Sequence, residues 1–271
     1  MILSAIHIFP VKSLRGIACT EVELDDFGLQ LDRRWMLVDE QGRFITQRQQ
    51  ASLALVDVTL RAQHLEFGAP GMEQLIIANN TLQESTIQVR VWDYVGDVPT
   101  VSEQADRWFS EYLELSCRLV FMPDNVFRPI DPQYAVNAAN RTGFSDGFPV
   151  LLIAETSLED LNGRLAVKGE TPVPMLRFRP NLVISGALAF AEDQWKRIRI
   201  GDLEFSVVKP CSRCVIPTID INTGLKHPEP IRTLGEYRKR DGKIYFGQNL
   251  IHSGLGKLKV GDPVTILESG F

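Results

Sequence analysis

Lys209-Pro210-Cys211-Ser212-Arg213-Cys214 sets two thiols beside two cations, directly after the alternating run Leu203 to Val208. A thiolate is a far stronger nucleophile and metal ligand than a thiol, and neighbouring Lys and Arg favour its charged form. The six residues therefore point to a reactive sulfur. Three other readings of a Cys-x-x-Cys pair stand beside this one. Structural zinc normally takes four Cys or His ligands, and the rest of the chain offers only Cys19, Cys117, His7, His64, His227 and His252, with no second close pair. A thioredoxin-like redox pair opens a helix after a strand. Here Val215, Ile216 and Thr218 are β-branched, and Pro217 breaks a helix begun at Cys214. Two buried, inert cysteines are the plainest alternative.

Polar clusters recur where β-like runs begin or end. Lys12-Ser13 follows the opening run, and Asp32-Arg33 precedes Trp35. Thr46-Gln-Arg48-Gln49 lies at the far end of the Trp35 hairpin. Ser145-Asp146-Gly147 enters the run from Phe148, and Arg177-Phe-Arg179-Pro180-Asn181 enters the run from Leu182. Strand ends are where loops aim side chains into a site. Arg forks, Lys, hydroxyls and small residues with open backbone N–H groups are the means of gripping an anion. Beside an activated cysteine, they point to a phosphorylated, metal-bearing cofactor.

Period-two alternation dominates the elements that must place these residues, so the fold class is mainly β with a few helices (α+β). Two hairpins are expected, Trp35–Asp39 with Arg43–Gln47 and Arg197–Ile200 with Leu203–Val208, each around a Gly-containing turn. Val56–Leu60, Leu75–Ala78, Ile87–Trp92 and Lys257–Leu267 add further β runs. A capping box at Thr100-Val-Ser-Glu103 predicts a helix carrying Ala105, Trp108, Phe109, Tyr112 and Leu113. Thr156-Ser-Leu-Glu159 predicts a second helix with Leu158, Leu161 and Leu165, and a third short helix includes Ile231, Leu234 and Tyr237. Pro123 to Gly147 has no periodicity, and the domain boundary is expected just before it. Long irregular segments tend to be functional or mobile. Pro123–Ser145 is accordingly expected to be a mobile flap.

A length of 271 residues allows one large or two ordinary domains. The net charge of −5 lacks the basic face that nucleic acid requires. Four cysteines do not make a disulfide framework in so long a chain, which indicates a reducing, cytoplasmic setting. Met1 to Phe9 lacks the basic start of a signal peptide, and no apolar run approaches the ~20 residues of a membrane helix. No membrane association is expected.

The chain resembles the MOSC superfamily, and within it the bacterial reductases of N-hydroxylated bases and the mitochondrial amidoxime-reducing components. The resemblance is carried by Phe9-Pro-Val-Lys-Ser13, Asp32-Arg33, Thr46-Gln-Arg48-Gln49, Phe144-Ser-Asp146, Phe178-Arg-Pro-Asn-Leu-Val-Ile-Ser185-Gly186, Cys211-Ser-Arg-Cys214, Tyr245-Phe-Gly-Gln-Asn249 and Val260-Gly-Asp262. It implies an N-terminal MOSC β-barrel-like domain (1–120) packed on a C-terminal MOSC β-barrel (121–271), with a pterin-bound molybdenum between them. It implies Cys214 as molybdenum ligand, and Lys12, Ser13, Arg33, Asp146, Arg179, Asn181, Ser212 and Arg213 as contacts to pterin and phosphate. A position that carries a hydroxyl residue in the mitochondrial proteins is Gly147 here. The activity implied is reduction of N-hydroxylated compounds to amines, with Asp146 a candidate proton donor by position alone. The alternative is a cofactor carrier or sulfur-handling protein without turnover. Many bacterial relatives continue into an iron–sulfur domain, whereas this sequence ends at Phe271, so electrons are expected from a separate ferredoxin or flavoprotein reductase.

Overall fold

Alternating side chains of a strand face opposite sides of a sheet, and in this protein one set turns inward around a common core. Leu3, Ile6, Leu152, Leu182, Ile184, Ile198, Phe205 and Leu250 are among its members. The computed structural model describes residues 1–78 and 81–270. Among these the largest sheet has nine strands. Its order is Val264–Ser269, Trp195–Ile200, Leu203–Ser212, Lys243–His252, Val150–Ala154, Leu182–Ser185, Ile2–Ile8 and Ile17–Cys19, with Lys239–Arg240 paired beside Lys243–His252. Pairing is antiparallel except between Val150–Ala154 and Leu182–Ser185. A parallel pair needs a long crossover, and the helix Glu155–Val167 lies in that connection.

The two ends of the sheet meet. Ile2 bridges Pro263, the Leu3 N–H donates to the Asp262 carbonyl at 2.9 Å, and the Val264 N–H donates to the Met1 carbonyl at 3.0 Å. The sheet thereby curls into a barrel. Its first strands come from the start of the chain, and Glu21–Asp25 pairs with Gly256–Lys259. Strand pairing thus crosses the expected division at residue 120.

The rest of the N-terminal half consists of smaller sheets: Asp57–Leu60 with His64–Gly68 and Leu75–Ala78, Thr86–Val91 with Tyr94–Pro99, and Trp35–Val38 with Arg118–Phe121. The helix Glu103–Leu113 buries Ala105, Trp108, Phe109 and Leu113 against this core. No helix among the described residues is long and apolar enough to cross a membrane.

Several local expectations shift. Trp35–Val38 takes Arg118–Phe121 as its ladder partner on one side, and Arg43–Gln47 returns on the other as a short hairpin, through a Val38–Phe44 bridge and the Asp39-to-Arg43 and Ile45-to-Leu37 backbone hydrogen bonds. The first helix is capped by Ser102, whose hydroxyl accepts from the Ala105 N–H at 3.1 Å; Thr100 instead bridges to Val120 and donates to Gln83. The second helix leaves its strand directly at Glu155 without a side-chain cap, because Thr156 donates to the Ala187 carbonyl and Ser157 to Glu192. Pro123–Ser145 is stitched down at both ends. Arg128 is buried and donates to the Gly143 and Ser145 carbonyls and Ile130 is buried, while 131–139 stand mostly in solvent and Asp124, Asn125, Phe127 and Pro129 are exposed too.

Candidate functional site

All nine residues singled out from the sequence, Lys12, Ser13, Arg33, Asp146, Arg179, Asn181, Ser212, Arg213 and Cys214, line one pocket. They arrive from the exit of Ile2–Ile8, the entry to Trp35–Val38, the entry to Val150–Ala154, the entry to Leu182–Ser185 and the exit of Leu203–Ser212. Ser13, Arg33 and Arg179 hold φ of 70°, 49° and 55°. Left-handed backbone costs a non-glycine residue roughly 1–2 kcal/mol, and such strain persists where the surroundings over-determine it.

The two cysteines differ sharply in setting. The strand continues past Val208 to Ser212, so Cys211 lies within it, and burial pushes its thiol up while Arg213 opposes this. Cys214 lies beyond the strand end and is exposed. Its Sγ accepts from the Ile216 N–H at 3.5 Å, and both Arg48 and Arg213 act on it electrostatically. A short 3-10 turn, Ile216–Thr218, follows rather than a helix, and all four cysteines are free thiols. Among the described residues no group of three or more His, Cys, Asp or Glu side chains is placed to hold a metal ion. A metal at Cys214 must therefore draw its other ligands from a bound group.

Lys12, Asp146 and Arg48 form one ion network. Lys12 Nζ donates to Asp146 Oδ1 at 2.6 Å and to the Phe144 carbonyl at 2.8 Å, and Arg48 Nη2 donates to Asp146 Oδ2 at 2.9 Å. Burial pushes the Lys12 ammonium down from 10.5 to about 8, with Asp146 opposing. Burial alone raises the Asp146 carboxyl, but Lys12 and Arg48 together hold it far below the usual carboxylate range. Asp146 thus accepts from both Lys12 and Arg48.

The guanidinium groups divide into braced and open. Arg33 donates to Asp32, to Asn181 Oδ1 at 2.9 Å and to the Arg179 carbonyl at 3.2 Å, and lies 4.6 Å from the Phe9 ring centre. Asn181 is engaged too, accepting from the Leu151 N–H and donating to the His7 carbonyl. Arg179 Nη1 donates to the Leu14 carbonyl at 2.6 Å, and Arg213 donates to the Phe246 and Phe178 carbonyls. The Nη2 atoms of Arg179 and Arg213 are buried without a partner. Burial pushes the Arg179 guanidinium down to about 9, with Arg33 adding to the effect. An unpaired buried donor costs about 1–3 kcal/mol. Both arginines line the one pocket, a setting suited to an anion. Gly247, at φ 80°, leaves room for Arg213: a Cβ there would sit 2.8 Å from the Leu152 carbonyl oxygen and 3.3 Å from Arg213 Nη2.

Arg48, Arg177, Phe148 and Asn249 also line the pocket. Arg48 stood in a polar cluster noted above, and Arg177 lies two residues before Arg179. What singles them out is long-range: the reach of Arg48 to Asp146, and a 2.6 Å ion pair between Arg177 and Asp220. A Cβ at Gly147 would meet nothing within 4 Å, so the missing hydroxyl leaves open space.

The profile of the MOSC N-terminal beta barrel domain matches residues 1–116, and that of the MOSC domain matches residues 139–265. The chain is 36% identical over 281 residues to mitochondrial amidoxime reducing component 2 of Rattus norvegicus, covering 97% of this chain and 82% of the relative. It is 33% identical over 283 residues to mitochondrial amidoxime-reducing component 1 of Homo sapiens, covering 98% and 82%. Molybdenum cofactor sulfurase of Oryza sativa subsp. japonica is 32% identical over 261 residues, which is 90% of this chain but 32% of that longer protein. On this pocket, this barrel and this extent of similarity, the chain belongs to the MOSC-domain family that includes the amidoxime-reducing components.

Proposed function

We propose that the protein is a molybdenum-cofactor oxidoreductase that reduces N-hydroxylated compounds (hydroxylamines, N-hydroxylated bases and amidoximes) to amines. The observation that carries this reading is an exposed Cys214 sulfur sharing one pocket with two guanidinium groups whose buried Nη2 atoms lack partners. An anionic pterin phosphate would supply those partners, and a soft thiolate suits a molybdenum centre. Cys214 would hold the metal. Arg179, Arg213, Ser13 and Ser212 would hold the pterin and its phosphate. Arg33 and Asn181, each held by three side-chain hydrogen bonds to protein partners, brace the pocket wall.

When bound, the metal supplies the electron pair that breaks the N–O bond. The overall change is R–NHOH + 2 e⁻ + 2 H⁺ → R–NH₂ + H₂O, so the pocket must also deliver protons. Asp146 stays ionised between Lys12 and Arg48 and orients both. Lys12 Nζ, with its ammonium near 8, has the strength a proton donor needs at neutral pH. These 271 residues contain neither a cysteine cluster of iron–sulfur spacing nor a Gly-rich dinucleotide fingerprint. Electrons would come from a separate ferredoxin or flavoprotein reductase in a transient encounter. Four free thiols fit a reducing compartment such as the cytoplasm.

The likeness to the rice sulfurase favours a second reading, a carrier on which Cys214 bears persulfide sulfur. Protein purified from a cofactor-competent host separates the two. The reductase reading expects conversion of benzamidoxime to benzamidine with a chemical reductant, and none with NADPH alone. Cofactor-loaded protein that leaves benzamidoxime untouched under reductant would favour the carrier.

A further inference from the structure

Of the four tryptophans, only Trp92 has an open ring: it is 48% exposed, against 3%, 9% and 5% for Trp35, Trp108 and Trp195. It stands in the turn between Thr86–Val91 and Tyr94–Pro99 with φ 55°. Left-handed backbone is an outlier for so bulky a residue, and strain of this kind gathers at functional sites. Two pocket residues, Arg48 and Asp146, contact the ring itself, together with Phe44. The Arg48 guanidinium carbon lies 5.0 Å from its centre, Phe44 packs at 5.2 Å, and the indole N–H donates to Asp146 Oδ1 at 3.4 Å. Arg48 in turn donates to Asp146 and acts on Cys214. A series from Cys214 through Arg48 to Trp92 thus runs from the reactive sulfur to the rim. With Arg48 over the ring, the exposed part of the indole is a flat apolar surface at the mouth of the site.

We infer that Trp92 is a specificity-determining residue, whose open indole surface stacks planar, conjugated N-hydroxylated compounds while their N–OH group reaches the Cys214 end of the pocket. The identity of the reacting group rests on the reductase reading above; the stacking rests on the geometry of Trp92. Aromatic rings favour offset or edge contacts with one another, so an aryl compound gains at this rim what an alkyl compound does not. The other aromatic rings that line the pocket are more enclosed, Phe178 being buried and Phe148 half-buried, so Trp92 offers the open ring.

Benzamidoxime and acetamidoxime share the reacting group and differ by phenyl for methyl, which makes them the test pair. Benzamidoxime should quench tryptophan emission in the native chain, and the quench should vanish in Trp92→Phe, because the remaining tryptophans are buried. In turnover with a chemical reductant, Trp92→Gly should raise the ratio of the KM for benzamidoxime to that for acetamidoxime about fivefold to tenfold. Glycine accepts positive φ without strain, so the ring is removed with the backbone kept. Should that variant fail to fold, Trp92→Asn, also at ease in this region, carries the same comparison. Trp92→Phe should restore the ratio to within about twofold, which a merely structural role does not predict. An unmoved KM ratio, or a quench surviving in Trp92→Phe, overturns the inference while leaving the reductase reading intact. A quench that tracks Trp92 in a loaded protein that reduces neither amidoxime sinks the reductase reading and leaves the stacking standing.

Discussion

Lys12 carries its ammonium in a nearly closed setting, with Asp146 as its ion partner and Arg48 and Arg128 as repelling neighbours. In cofactor-free protein its Cε chemical shift should titrate near pH 8. Asp146→Asn removes the charge that favours the ammonium, so that midpoint should move lower still. A midpoint at the ordinary 10.5 would show the site to be wetter than described, and would remove Lys12 as proton donor. At this scale the sequence was informative about kind rather than state. The cations and hydroxyls at strand ends do converge, because a strand end fixes where its next residues can point. The contrast between the thiols was not legible, since the half-burial of Cys211 and the exposure of Cys214 depend on how far the strand Leu203–Ser212 runs. Nor was the ion network at Asp146, which needs Lys12 and Arg48 brought across from the other half of the chain.

The loop after Cys214 is an element held from several sides. Asp220 accepts from Arg177 at 2.6 Å and from the Asn222 and Thr223 N–H groups, Arg15 donates to the Ile221 carbonyl, and Lys226 donates to the Arg48 carbonyl. Burial raises the Asp220 carboxyl, but these donors outweigh it and hold it down to about 2. Asp220→Ala should therefore cost about 1.5–3 kcal/mol of stability, the range for hydrogen bonds to a charged group. It should also speed amide exchange across 216–227 more than elsewhere. Uniform exchange with an unchanged melting point would show the loop to be held by packing alone. Elements were legible where their information is local. The hairpin around Gly201-Asp202 forms as its turn predicts. The partner of Trp35–Val38 lies about eighty residues away at Arg118–Phe121, beyond any local pattern. The first helix begins at its expected Glu103 but takes Ser102 as cap, because Thr100 is drawn into pairing with Val120.

The whole molecule is organised around a barrel that borrows its first two strands from the start of the chain. Leu3, Ile6 and Ile8 are at most 3% exposed in its core, and each buried side chain of this size is worth roughly 1.5–3 kcal/mol. A fragment beginning at residue 121 should therefore fail to fold alone and should recover structure when a peptide spanning 1–30 is supplied. Cooperative melting of the isolated fragment would show the barrel to be complete without those strands. The β-rich class was plain from alternation, but barrel closure was not, because it joins Met1–Leu3 to Gly261–Val264 at opposite ends of the sequence.

That closure brings both halves of the chain to one pocket, and the central claim is that the pocket holds a molybdenum–pterin group through Cys214. Its most direct test is the molybdenum and pterin content per folded chain of the native protein, Cys214→Ala and Cys211→Ala, each made in a cofactor-competent host. The native chain should carry both in near-equal amounts, Cys214→Ala should lose its molybdenum while melting as the native chain does, and Cys211→Ala should keep a substantial share of both. Equal loss in the two variants, or a native chain that acquires neither molybdenum nor pterin, would contradict the account.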